Sequence, residues 1–111
     1  RKALERLTVV GRLVEVSVTP EPQAISPYRR PLLVNRYIVL SVEEGRFEGG
    51  ELLAAHWVIM DGAVLEDARR SFGKTYRLQL ELFERHPELE GERLIQDVEA
   101  YHLPLFYDCG E

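Results

Sequence analysis

The chain is poor in the residues from which small proteins usually build chemistry. It holds one cysteine, Cys109, so neither an internal disulfide nor a cysteine-based zinc site can form within it. Its histidines are three, His56, His86 and His102, and their spacing matches neither His-x-His nor His-Glu-x-x-His. Ser17, Ser26, Ser41 and Ser71 lack the Gly-x-Ser-x-Gly elbow that exposes a hydrolytic serine. Gly-x-Gly-x-x-Gly and Walker patterns are absent as well. No catalytic, cofactor or metal residue is therefore assigned; a zinc site assembled in space with Asp61 or Asp97 is the unfavoured alternative. No apolar run reaches membrane-spanning length and no signal-peptide pattern is present. Positive charges are outnumbered by negative ones. A net charge of −5 argues against a phosphate-backbone binder, and Arg29-Arg30 with Arg36, like Arg69-Arg70 with Lys74, reads as solvated surface.

What the chain does hold is strand-forming sequence. Residues 7–19 read as a long strand with Val10, Val14, Val16 and Val18 on one parity, and Gly11 is placed for a bulge. Pro20, Pro22, Pro27 and Pro31 then forbid helix and central strand alike, making an ordered or semi-ordered loop. A second strand spans 33–43, with Val34, Ile38, Leu40 and Val42 as its apolar face. A third, 51–60, is apolar on both faces, and so is either central or passes from one sheet face to another. Asp61-Gly62 between apolar runs predicts a type I′ hairpin, and 66–70 one short helical turn. The cleanest alternation follows, Tyr76, Leu78, Leu80 and Leu82 inward against Arg77, Gln79 and Glu81. A short strand is expected around 94–98, then an apolar tail from Tyr101 to Tyr107. Nowhere is a 3.6-residue period sustained, so the expected fold is all-β: an antiparallel OB-like barrel of about six strands, at most one short helix, and one domain over residues 1–111 excised from a larger protein.

Acidic residues crowd the segment from Glu81 to Asp97, but spacing along a loop does not place two carboxyls across a cleft, and a solvated face is the expectation. The aromatics offer more. Trp57 and Tyr76 sit in core-like positions, whereas Tyr28 lies in the proline loop beside Arg29 and Arg30. Tyr37 shares the polar parity of Asn35 and is expected to face outward with it. Tyr28, Arg29, Arg30, Asn35 and Tyr37 are accordingly the candidate ligand-binding residues, since sugar C–H faces stack on aromatic rings and guanidinium forks grip an uronate carboxylate.

Two resemblances add to this reading. The stretch Tyr37-Ile-Val-Leu-Ser-Val-Glu-Glu-Gly45, with Gly73-Lys-Thr-Tyr-Arg-Leu78 further on, resembles the strand plan of netrin-like and tissue-inhibitor-like OB barrels. Arg30-Pro-Leu-Leu-Val-Asn-Arg-Tyr37, Ala55-His-Trp-Val-Ile-Met-Asp-Gly62 and Arg85-His-Pro-Glu-Leu-Glu-Gly-Glu-Arg93 are similar to the C-terminal accessory region of bacterial proteins like alginate O-acetyltransferases. That resemblance spans residues 7–107. It implies a non-catalytic module, in the periplasm or cell envelope, that binds or orients polysaccharide for an acetyl-transfer domain elsewhere in the parent. The alternative is a protein-interaction or structural module packing on a neighbouring domain or envelope partner. An aromatic shelf rimmed by Arg and Asn would favour the first reading; a contiguous exposed apolar patch would favour the second.

Overall fold

A computed structural model describes residues 6–100 and 102–110, so Arg1–Glu5, Tyr101 and Glu111 lie outside the account that follows. The strands are β1 Leu7–Glu15, β2 Leu32–Glu44, β3 Glu51–Trp57, β4 Ile59–Met60, β5 Ala63–Val64, β6 Thr75–Leu82, β7 Leu94–Ile95 and β8 Leu105–Asp108. Among the described residues helix is confined to 3₁₀ turns, and no helix is long and apolar enough to cross a membrane.

Five strands close on themselves in the order β1-β2-β3-β8-β6, with β6 pairing back to β1. Closure leaves no free sheet edge around most of the circumference. This is the strand order of an OB-like barrel, and the all-β class expected from the alternation is the class observed. The all-antiparallel pairing is not: β3 runs parallel to β8, and β7 parallel to β2. The physical reason is the long connection 83–104, which crosses the barrel and returns β8 in the direction of β3.

The core has a polarity that the valines conceal. In β1 the inward row is Leu7, Val9, Gly11 and Leu13, while Val16 and Val18 lie beyond the strand and are exposed. Gly11 belongs to that inward row because a Cβ there would stand 3.2 Å from the Cβ of Tyr37. The pairing with β2 also shifts register between Val10 and Gly11. In β2, Tyr37 and Asn35 point inward and are sealed, whereas Ile38, Leu40 and Val42 face water. The expected orientation of the second strand is thereby reversed over its far half. The barrel interior is Val9, Leu13, Tyr37, Leu52, Ala54, Leu78, Leu80 and their neighbours. The apolar alternation of β6 holds at its centre, where Leu78 and Leu80 are fully buried; Tyr76 and Leu82 at its ends are only partly so.

A second apolar layer explains why β3 is apolar on both faces. Outward-facing Leu32, Val34, Leu53 and Ala55 are covered by Leu89 and Val98 of the 83–104 connection. One barrel end is closed by Ile25 from the proline loop together with Leu33, Val58 and Ile59. The predicted hairpin sits there. Met60 pairs with Ala63 across Asp61 at φ 49° and Gly62 at φ 87°, the two positive φ values a type I′ turn requires. A 3₁₀ turn, Glu66–Arg69, follows and delivers Arg70 to the barrel mouth.

Candidate functional site

Each sequence-predicted ligand residue has a definite place. Tyr28 is half exposed, 44% of its surface, in a groove of about 250 Å³ shared with Arg29 and Asp61. Arg29 already holds a carboxylate, Asp61, at 3.3 Å on the open surface. Arg30 lies 2.5 Å from Glu92 and 5.2 Å from the Trp57 ring centre, so its guanidinium is engaged on two sides. Asn35 and Tyr37 do not join this shelf. Their outward orientation is corrected: both side chains lie inside the barrel, where parity places the inward row of β2.

Inside, Tyr37 belongs to the most connected polar cluster among the described residues. From β2 its ring reaches His56 on β3, and its hydroxyl meets Nε2 at 2.7 Å. His56 Nδ1 lies 2.7 Å from Asp108 Oδ2 on β8. Arg70 approaches from the capping turn, 3.4 Å from the Tyr37 hydroxyl, 3.2 Å from Asp67 and 3.8 Å from Asp108, with its guanidinium 4.4 Å above the Tyr76 ring. Donor accounting gives one consistent pattern. Arg70 donates to the Tyr37 oxygen, Tyr37 donates to Nε2, and Nδ1–H donates to Asp108.

The electrostatics follow from that geometry. Burial pushes the Tyr37 phenol up to about 12, the nearby Arg70 charge pulling the other way without prevailing. Burial would also raise Asp108, but the bond from His56, the backbone N–H of Gly110 and the Arg70 charge hold it below the ordinary carboxylate value. Arg70 in turn is held charged: burial works against it and is outweighed by Tyr37, Asp67 and Asp108.

The cluster borders a cavity of about 110 Å³ lined by Asp67, Arg70, Arg77, Gln79, Asp108 and Gly110. Tyr37 and His56 themselves are sealed, so a ligand there reaches Arg70 and the two carboxylates but neither ring. His56 Nδ1 and oxygens of Asp67 and Asp108 lie within 4.8 Å of one another, a separation a metal could bridge. Arg70 lies on the same two carboxylates and supplies the balancing positive charge. The arrangement is therefore a polar tie joining three strands to the capping turn. Sequence reasoning named His56 without assigning it a role and did not reach Asp108. The signal was a lone histidine in an otherwise apolar run, Leu52–Met60, where burial demands partners for both ring nitrogens.

At the opposite barrel mouth, Leu7, Leu82 and Phe106 floor a cavity of about 430 Å³ rimmed by arginines. His86, beside it, sits between Glu81 at 2.8 Å and Glu88 at 2.9 Å.

No family model matches the chain, and neither the curated proteins nor the solved structures yield a match. The class is thus defined by the fold alone, an OB-like barrel with a buried Tyr37–His56 pair at one mouth.

Proposed function

We propose that this chain is a non-catalytic interaction module, docking on a neighbouring domain or a partner protein. The observation that carries this reading is an outward row on β2: Ile38, Leu40 and Val42 are 38%, 55% and 38% exposed. These residues share one face, and consecutive members of the row stand roughly 7 Å apart on an extended strand. Beyond Ile38 the ladder to β3 ends, leaving β2 from Leu40 to Glu44 paired with β1 only, apart from one bond from the Val39 N–H to the Gly50 carbonyl. An apolar row beside a one-sided strand suits an added protein surface or strand.

The test is a photoreactive residue at position 40 of the full-length protein in its native cells, with Glu90 as an exposed control position. One discrete adduct from position 40, absent from position 90 and lost with Ile38→Glu and Val42→Glu, is the expected result. Equal adducts from both positions, or none from position 40, would sink the reading.

Polysaccharide binding, with the envelope location that accompanies it, remains the second reading, favoured by the Tyr28–Arg29 groove. It ranks behind because Arg29 and Arg30 already hold carboxylates and Asn35 and Tyr37 are interior. An NMR titration with anionic and neutral oligosaccharides decides it: shifts at Tyr28 and Arg29, stronger for the anionic sugar, would put it ahead.

A further inference from the structure

We propose that the mouth of the barrel opposite the hairpin binds a carboxylate carried on an apolar body. The cavity there, about 430 Å³, falls in the size range of small-molecule sites. Its floor is the end of the barrel core, Leu7, Leu82 and Phe106. Its rim carries three arginines, Arg6, Arg46 and Arg85, against two acids.

The acids are already occupied. Glu44 accepts a hydrogen bond from the Thr8 hydroxyl at 2.9 Å, and Glu81 is shared by His86 at 2.8 Å and Arg6 at 3.5 Å. Among the described residues neither Arg46 nor Arg85 enters an ion pair. Among the described residues, then, two guanidinium groups outside any ion pair line the same cavity as this apolar floor. Guanidinium forks match the geometry of a carboxylate. Exposed ion pairs alone hold weakly, so the apolar body must supply much of the affinity. Acetate lacks the body and octanol lacks the charge; octanoate has both. The same chemistry is offered by the C-terminus of a peptide ending in leucine, so source is a separate question from site. This site is independent of the β2 row and stands or falls without it.

The experiment is an amide NMR titration of the chain with octanoate, octanol, acetate and a short peptide ending in a free Leu carboxylate. Saturable shifts at Gly45, Arg46, Leu82 and Phe106 are expected with octanoate or with the peptide, and the tighter of the two identifies the source. Octanol and acetate should bind more weakly by about tenfold or more. Arg46→Glu combined with Arg85→Glu should cost on the order of tenfold while leaving the melting temperature little changed, both side chains being exposed. No saturable shift with either carboxylate, shifts confined to another face, or affinity indifferent to the charge reversal would each overturn the proposal.

Discussion

Tyr37 and His56 are polar side chains placed where water does not reach, and their stability effects follow from that placement. Tyr37→Phe keeps the ring and removes one oxygen, which leaves His56 Nε2 without its donor. The expected cost is about 1–3 kcal/mol in denaturant unfolding, although the volume barely changes. Ultraviolet titration should show a phenol that stays protonated until about 12, and Tyr37→Phe should remove that late step. Two other groups shape the pH dependence in opposite directions. The folded-state value of Asp108 is lowered, so its contribution is present above the ordinary 3.8 and is lost as pH falls through the lowered value. His86 is raised: burial opposes its charge, but Glu88 and Glu81 outweigh burial. Its contribution is complete below the ordinary 6.5 and is lost as pH rises through the raised value. Stability measured across pH should therefore lose part of its acid limb in Asp108→Asn and part of its decline above 6.5 in His86→Gln. Unchanged profiles in both variants would refute the assignment.

At the scale of elements, two glycines with positive φ separate backbone strain from collision. Gly62 at φ 87° closes the β4–β5 hairpin, and a Cβ added there meets nothing within 4 Å. Gly62→Ala should cost roughly 1 kcal/mol, the left-handed penalty alone. Gly45 at φ 86° ends β2, and its added Cβ would stand 2.6 Å from the Arg6 carbonyl oxygen and 3.3 Å from the Leu7 Cα. Both neighbours are backbone at the entry to β1, so Gly45→Ala should be clearly the more costly of the two. Equal melting temperatures for the two variants would contradict this account. The hairpin was readable as Asp-Gly between apolar runs, since a two-residue turn depends only on local φ preferences. The β6 alternation was readable for the same kind of reason. The parity of β1 and β2 was not, because valines stood on both sides of each strand and local pattern offers no rule for choosing between them.

For the whole molecule, the decisive element is the last strand. β8 pairs with β3 on one side and β6 on the other, and it brings Phe106 and Asp108 into the barrel. A chain ending at Pro104 would leave the barrel open along both edges and His56 Nδ1 unpartnered. Such a truncation should lose cooperative thermal unfolding altogether. A sharp transition in the shorter chain would show that β8 is dispensable. Closing this circuit joins residues far apart in sequence, so slow folding is expected relative to helical domains of similar size.

The all-β class, the hairpin, the proline loop and the two apolar faces of β3 were present in the order of residues, because each rests on interactions spanning a few positions. Which strands run parallel, and which face of β2 is dry, depended on where the 83–104 connection packs. The Tyr37–His56–Asp108 tie lay outside any local pattern for the same reason. Its members are 19 and 52 residues apart and become neighbours only when the barrel closes. A polar group's partner is set by burial, and burial is a property of the assembled sheet.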